Sequence, residues 1–215
     1  MGTGTVIRSA RPSDAPFMGW LILTAGRAHV KRGIWEVLLD APEGQCLVFL
    51  AALAVTKKVH LFHHSCYLLA QTDGHPVAGL GGYDPTLLGY PALRDVLPDV
   101  FRKTGLTPHG EISETGSPRI VSCVPPALEG AWVIDSVATL PDYRRKGIVS
   151  RLLEEILTRG RHKGFRLAQI NIYIGNEPAR RAYEKHGFQI LDETRDPYFE
   201  AEIGSPGMAR LVRDI

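Results

Sequence analysis

Cysteines are scarce in this sequence, and their spacing excludes two classes of site. It contains three, Cys46, Cys66 and Cys123, and no CxxC pair. An odd number of widely separated thiols does not make a disulfide framework, and structural zinc sites need closely spaced ligand pairs. We therefore expect reduced, buried cysteines and no metal site.

Long hydrophobic runs are also absent. The longest, CLVFLAALAV, has ten residues, whereas a membrane-spanning helix needs about 20. The segment MGTGTVIRSA has no apolar signal region, and Val6 stands where a myristoylation signal has Ser or Thr. These features predict no membrane partner and a cytoplasmic location.

The chain lacks a strong excess of charge of one sign. Its formal net charge is +2, which is too small to predict nucleic-acid binding by bulk electrostatics. With 44% hydrophobic and 22% charged residues, the composition is that of a soluble globular protein, and 215 residues suit one large domain. We therefore predict a single domain, residues 1–215, without a nucleic-acid partner.

Periodicity and turn residues predict strands interspersed with helices. Strands are predicted at residues 5–10, 66–71, 76–84, 131–139, 165–175, 188–193 and 207–214. A first helix is predicted behind a Ser13 cap, with Pro16 in its first turn. Further helices are predicted at residues 33–40, 45–58, 91–103 and 176–187. Another begins at the basic turn, residues 144–146, and runs to Arg159, where Gly160 is its predicted stop. Asp73-Gly74 indicates a hairpin turn. Residues 106–129 are read as a long loop and residues 195–200 as a turn.

The strand–helix–strand–helix unit over residues 131–187 requires a parallel strand pair joined by a crossover helix. The hairpins on either side of this unit add antiparallel strands. The fold class is therefore α/β, with a mixed, mostly antiparallel sheet that carries helices on both faces.

A cationic turn at the start of one helix is the most informative local feature. In YRRKGIV, the basic residues Arg144, Arg145 and Lys146 precede Gly147, and no Ser, Thr, Asp or Asn is present there to cap the helix. Unpaired amides, the helix dipole and a permissive glycine make an anion site, for which a diphosphate is the natural ligand. The alternative is a basic turn that is merely solvated.

Two other phosphate motifs are excluded. The sequence has no GxxxxGK[ST] loop. GLGGYD lacks the third glycine of a dinucleotide fingerprint and precedes no clear helix.

The turn resembles the acyl-CoA loop of the GNAT superfamily of N-acyltransferases, whose pattern is Gln/Arg-x-x-Gly-x-Gly/Ala. Arg144 and Gly147 match that pattern, whereas Val149 stands where Gly or Ala is expected. A second element, NEPARRAYEKHGF, is similar to the family's Asn-x-x-Ala-x-x-x-Tyr-x-x-x-Gly-Phe. Its matching residues are Asn176, Ala179, Tyr183, Gly187 and Phe188. The order of elements resembles the family from about Val6 to the end, except for a predicted insertion at residues 84–129.

The resemblance implies a fold in which the strands at 131–139 and 165–174 splay apart and admit pantetheine. It also implies an acetyl-CoA site, with no metal, whose cofactor-binding residues are Val137, Ala138, Thr139, Arg144, Arg145, Lys146, Gly147, Ile148, Val149, Ser150, Asn176, Ala179 and Tyr183. The implied reaction is direct attack of a neutral primary amine on the thioester in a ternary complex.

The resemblance gives Tyr183 the role of general acid for the leaving thiolate, although a core aromatic packed on its helix is the alternative. For the general base we consider Asp135, which strand alternation places on the same side as Val137 and Thr139. An Asp bonded to nearby backbone, or a chain of waters in place of a base, are alternatives. Glu36, Asp40 and Glu129 are weaker candidates.

Other features leave further alternatives. The spacing of His60, His63 and His64 is compatible with a metal site, but no Cys or acidic residue nearby in the sequence completes one. Trp20, Trp35 and Tyr198 are candidate walls of an acceptor pocket or core residues. For residues 84–129, a lid and a homodimer contact both remain open.

The amine acceptor, a small molecule or a protein amine, is not identified by the sequence. Three rival functions remain: a non-catalytic acyl-CoA-binding module, an acyltransferase for longer acyl chains, and an unrelated phosphate-ligand protein with a convergent turn. The last does not explain the second motif.

Overall fold

A seven-stranded sheet forms the centre of the structure, a computed structural model that describes residues 4–113 and 117–215. The strands are β1 Val6–Ser9, β2 Tyr67–Thr72, β3 His75–Tyr83, β4 Ala131–Thr139, β5 Leu167–Tyr173, β6 Gln189–Arg195 and β7 Gly207–Asp214. Their order is β1-β2-β3-β4-β5-β7-β6. Among the described strands, β4 and β5 pair in parallel and all other neighbours are antiparallel. The predicted fold class is confirmed.

Helices cover both faces of the sheet. They are α1 Ala15–Arg27, α2 Ile34–Leu39, α3 Glu43–Leu53, α4 Pro85–Leu88, α5 Tyr90–Thr104, α6 Ile148–His162, α7 Glu177–Glu184 and α8 Pro197–Ile203. A first core cluster packs α1, α2, α3 and α5 on one face, and a second packs α6 and α7 on the other. In the described ranges, no helix is long and apolar enough to cross a membrane.

Helix α6 buries the predicted apolar stripe, but it is longer than the sequence indicated. Leu152, Leu153 and Ile156 are fully buried against the sheet. The prediction that Gly160 stops the helix is wrong, because α6 continues to His162. A Cβ at position 160 would lie 2.9 Å from the indole ring of Trp132, so the glycine allows close packing of helix on sheet.

The starts and ends of α1 and α3 also differ from prediction. Asp14, not Ser13, is the residue before α1, and its carboxylate accepts a hydrogen bond of 2.7 Å from the Arg11 amide. Helix α3 spans Glu43–Leu53, which is shorter than the helix that the sequence predicts at residues 45–58. It ends early because the chain turns after Leu53, whose carbonyl lies 3.2 Å from Nε2 of the buried His60.

Residues 195–200 do not form the predicted turn; they contain the start of α8. The Asp196 carboxylate accepts a hydrogen bond of 2.8 Å from the amide of Tyr198, and Pro197 occupies the first helical position. An acidic N-cap followed by proline is a helix-start signal, and here it decides the local structure.

Residues 105–130, which we call the strap, cross β5 and β7 on the side of the sheet that faces α2. Gln169 on β5 accepts a hydrogen bond of 2.8 Å from the Leu128 amide and donates one of 3.2 Å to the Pro126 carbonyl. Arg210 on β7 donates to the same carbonyl over 2.9 Å. The strap has little regular structure, as predicted; its residues 114–116, like residues 1–3, lie outside the described ranges.

Candidate active site

A gap opens between β4 and β5 where their pairing ends. Ala131 to Ile134 pair with Leu167 to Ile170, and no pair between the two strands follows in the described structure. Strand β4 nevertheless runs on to Thr139, and β5 stays paired with β7 as far as Tyr173. The strands therefore diverge, as the resemblance implied, and the last five residues of β4 face the gap with one edge unpaired.

An extra residue in β4 changes which side chains face which way. Gly81 pairs with Asp135 but Gly79 pairs with Ala138, so two residues of β4 stand opposite one of β3. Ser136 has a left-handed backbone with φ of 53°. Such a bulge breaks the alternation of side chains.

The prediction that Asp135 shares a side with Val137 is therefore wrong. Val133, two residues before Asp135, belongs to the first core cluster, and so does Ala138. Val137 packs against the second. Asp135 thus faces the α1 side of the sheet, where the first cluster lies.

Asp135 is only partly exposed. Its Oδ1 accepts a hydrogen bond of 3.1 Å from the Ser136 hydroxyl. Burial raises the pKa of Asp135, and the Ser136 bonds partly oppose this shift. A carboxylate with a raised pKa is a better proton acceptor than a solvated one.

The cationic turn presents its backbone to solvent. Arg145 and Gly147 both have left-handed backbones, with φ of 59° and 75°. No side chain caps α6, and among the described residues no carbonyl or side chain accepts from the amides of Ile148, Val149 or Ser150. The positive end of α6 is therefore free to bind an anion.

The basic side chains at this turn are differently engaged. Arg144 donates from Nε to the Thr139 carbonyl over 3.2 Å, which ties the turn to the end of β4. Lys146 places its ammonium 5.0 Å from the centre of the Tyr143 ring. All three basic side chains are exposed, so each can adjust to a ligand at the turn.

The first turn of α6 also contacts the end of α7. Ile148 is buried and Val149 is partly buried against the second cluster, so both would serve a ligand through their amides. The Ser150 hydroxyl lies 2.9 Å from Nε2 of His186, and burial lowers the pKa of that histidine. Sequence reasoning missed His186, since nothing in its spacing marks it.

The second motif builds the start and the core of α7. Asn176 caps the helix by accepting a hydrogen bond of 3.4 Å from the Ala179 amide, as predicted. The Tyr183 ring is buried and meets Phe188 edge-on, with centroids 6.2 Å apart. Burial raises the pKa of Tyr183, with a smaller contribution from Asp135. Because its pKa is raised, the phenol is protonated at neutral pH. Its hydroxyl makes no hydrogen bond to any described residue and is therefore available as a donor.

The weaker base candidates are not brought to the gap. Glu36 pairs with Arg27 at 2.8 Å and accepts from the Gly33 amide, so it serves to cap α2. Asp40 pairs with Arg32, and Glu129 is exposed on the strap.

The three histidines are held by protein groups. His60 lies against the Leu53 carbonyl, His63 is 2.7 Å from the Ser65 hydroxyl, and His64 is 3.4 Å from the Ala10 carbonyl. In the described part of the chain, no three His, Cys, Asp or Glu residues are grouped as a metal site would need.

The aromatic candidates are divided between the core and a pocket. Trp35 is buried, with its ring 5.1 Å from that of Phe62, and Trp20 packs on Phe17 at the same separation. Tyr198 lines a pocket of about 520 Å³ between α2, the strap and α8, together with Val37 and Glu202.

Comparison with known proteins agrees with this geometry. The family model described as acetyltransferase (GNAT) family matches residues 42–188, more than half of the chain. No curated protein matches the sequence.

Solved structures share the fold. An acetyltransferase superposes with a TM-score of 0.69 at 20% identity, covering 98% of this chain and 99% of its own. An N-acetyltransferase from Staphylococcus aureus Mu50 gives 0.68 at 21% identity, covering 97% and 100%. Rv2747 from Mycobacterium tuberculosis, in complex with CoA and NLQ, gives 0.53 at 14% identity, covering 98% and 99%. The family match, the two motifs and this fold agree, and the chain belongs to the GNAT acetyltransferase family.

Proposed function

We propose that this protein is an N-acetyltransferase that transfers the acetyl group of acetyl-CoA directly to a primary amine. The observation that carries the proposal is the set of unpaired amides at Ile148, Val149 and Ser150, which follow the exposed Gly147 in the turn after the open strand gap. The proposal takes residues 1–215 as one catalytic domain with an insertion at 84–129.

The cofactor site in this proposal begins at the cationic turn. Helix amides and a helix dipole favour a diphosphate, and the exposed Arg145 and Lys146 add positive charge. The unpaired edge of β4 at Val137, Ala138 and Thr139 offers backbone groups to the pantetheine arm. The CoA in the Rv2747 structure supports this ligand, because that protein has the same fold.

Acetyl-CoA supplies an acyl group activated as a thioester. In the proposed step the amine nitrogen bonds to the thioester carbon, and the carbon–sulfur bond breaks. Asp135 accepts the proton that the amine loses, and Tyr183 donates a proton to the departing thiolate. Removal of one amide N–H aimed at the carbonyl oxygen, from the Val137–Thr139 edge, would cost about 3 kcal/mol of transition-state stabilisation.

The experiment that tests this function is a thiol-release assay with acetyl-CoA and a broad panel of amines. Turnover with at least one primary amine, greatly reduced by Asp135→Asn, is the expected result. A parallel series of longer acyl-CoA substrates reads out the acyl preference. Tight CoA binding by calorimetry without turnover on any amine would instead indicate a non-catalytic acyl-CoA-binding protein.

A further inference from the structure

Three residues on neighbouring strands form a row across the sheet beneath the gap. Tyr67 on β2 pairs with Gly81 on β3, and Gly81 pairs with Asp135 on β4. Gly81 has no side chain, and the Tyr67 ring lies over it. A Cβ at position 81 would stand 2.9 Å from Cζ of that ring. The glycine thus lets the phenol reach across one strand toward Asp135.

The Tyr67 hydroxyl is an unsatisfied polar group in the core. Tyr67 is completely buried, and its hydroxyl has no hydrogen-bond partner among the described residues. The groups that act on it are Asp135, Ser136 and, last, the Cys66 thiol. Buried hydroxyls are nearly always bonded in folded proteins, so one left without a partner calls for an explanation.

The backbone at Ser136 brings a second hydroxyl to the same place. In a regular strand, neighbouring side chains point to opposite faces of the sheet. The left-handed conformation of Ser136, φ of 53°, instead brings its Oγ within 3.1 Å of Asp135 Oδ1. A non-glycine residue rarely adopts this conformation, and such backbone strain concentrates at functional sites.

We propose that Tyr67 and Ser136 are positioning residues that hold Asp135 as the proton acceptor of the reaction. The bond from Ser136 Oγ to Asp135 Oδ1 is present in the structure. The proposed addition is a hydrogen bond from the Tyr67 hydroxyl, which is unpaired in the structure, to Ser136 Oγ. This chain of hydroxyls leaves Oδ2 for the proton of the amine. The inference rests on the proposed function for Asp135, and it adds the residues that orient it.

The proton balance of this arrangement is simple. Both hydroxyls keep their protons throughout, and Asp135 alone gains one from the amine. The other titratable groups that interact with Asp135 are phenols: Tyr83, Tyr90, Tyr173 and Tyr183. Desolvation of the hydroxyl raises the pKa of each, including that of Tyr90, whose ring is otherwise exposed, so all four are neutral at physiological pH. No cation contributes to the environment of Asp135 within the described residues, and the groups that favour its charged form are the hydroxyl and the backbone of Ser136.

The first test measures the pKa of the Asp135 carboxyl group in the free protein, without any substrate. Carboxyl carbon NMR follows its titration in the wild type and in Tyr67→Phe, Ser136→Ala and Ser136→Gly. We expect an upward shift of the Asp135 titration in all three variants, because each removes a hydroxyl that stabilises the carboxylate. Tyr83→Phe is the matched control, as it deletes a hydroxyl two residues from Gly81 that does not act on Ser136.

The second test is the pH profile of thiol release. We expect Tyr67→Phe to move the acidic limb of kcat upward and to lower kcat about tenfold near that limb, with KM nearly unchanged. Ser136→Gly relieves the backbone strain, so the melting temperature of this variant should be no lower than that of the wild type. Its kcat profile should nevertheless show the same upward shift of the acidic limb as that of Ser136→Ala. If Tyr67 and Ser136 had only a structural role, each variant that loses activity would also lose stability.

The two tests separate the inference from the function beneath it. An unchanged Asp135 titration in Tyr67→Phe, or an equal shift in Tyr83→Phe, overturns the inference even if the wild type is an active acetyltransferase. A shifted titration in a protein that acetylates no amine supports the hydroxyl chain and rejects the proposed function.

Discussion

Gly147 and Gly105 have nearly the same backbone conformation, with φ and ψ of 75° and 4° in one and 70° and 12° in the other. Gly147 precedes the first residue of α6, whereas Gly105 follows the last residue of α5. Both are exposed, and a Cβ at either position would meet no atom within 4 Å. The same substitution at the two glycines therefore puts the same strain on the backbone, but only at Gly147 does it place a side chain at the start of a helix.

We predict that Gly147→Glu abolishes CoA binding, because its carboxylate would stand at the unpaired amides of Ile148 and Val149 and repel a phosphate. The measurement is calorimetric titration with CoA. Gly105→Glu carries the same charge change and the same backbone strain, and it should bind CoA as the wild type does. Equal affinity in the Gly147 variant and the wild type would remove this turn from the cofactor site.

We predict that Tyr183→Phe lowers turnover about a hundredfold while CoA affinity is retained, which is the usual size of a general-acid contribution. The ring still packs on Phe188, and the lost hydroxyl bonds no described residue, so stability should change little. Steady-state kinetics across pH, with CoA titration beside them, provide the measurement. Rates equal to those of the wild type at every pH would leave Tyr183 with a packing role.

Much of the fold could be predicted because its signals are local. The hairpin turn adopts left-handed conformations at both Asp73 and Gly74, as this dipeptide predicts, and Asn176 caps α7. The alternation in β5 also holds: Ile170 faces the second core cluster, while Tyr173 lies in a third cluster with Phe199.

The errors came where tertiary contacts decide the outcome. Glycine commonly ends helices, but Gly160 lies within α6, because the Trp132 indole packs so closely there that no side chain fits. The alternation of side chains that the sequence predicts for β4 takes no account of a bulge, although glycines in strands often mark one. Gly79 and Gly81 on the facing strand carried that signal. Tyr67 could not have been found, because its place depends on the register of three strands.

We predict that Gln169→Leu detaches the strap and destabilises the protein by about 2 kcal/mol or more, since buried polar groups lose their partners. Gln169 is fully buried, and its amide is the group that bonds Leu128 and Pro126. Denaturant unfolding gives the loss in free energy, and hydrogen exchange of the Leu128 amide reports detachment. Gln189→Leu, on the exposed side of β6, is the control and should change neither. Unaltered protection of Leu128 would contradict the anchoring role.

We predict that the protein loses stability between pH 7 and pH 5 because of His60. Burial lowers the pKa of His60 to about 4, whereas an unfolded histidine titrates near about 6.5. As pH falls below the unfolded value, the unfolded chain takes up a proton that the native chain does not. Stability is therefore full above that value and declines toward the native pKa, by about 2 kcal/mol at pH 5.

Burial also lowers the pKa of His63 and His186, which adds to the loss of stability, and it raises the pKa of Asp135, which opposes that loss. The contribution of His60 is therefore read from the difference between the wild type and a variant that cannot titrate at position 60. Urea unfolding at pH 7 and pH 5 gives the measurement. His60→Asn keeps an acceptor for the Phe62 amide, which bonds Nδ1 of His60 over 3.2 Å, but it cannot titrate, so its pH dependence should be smaller. His162→Asn, exposed at the end of α6, should behave as the wild type. Equal pH dependence of stability in the wild type and in His60→Asn would mean that His60 takes up its proton in the folded state.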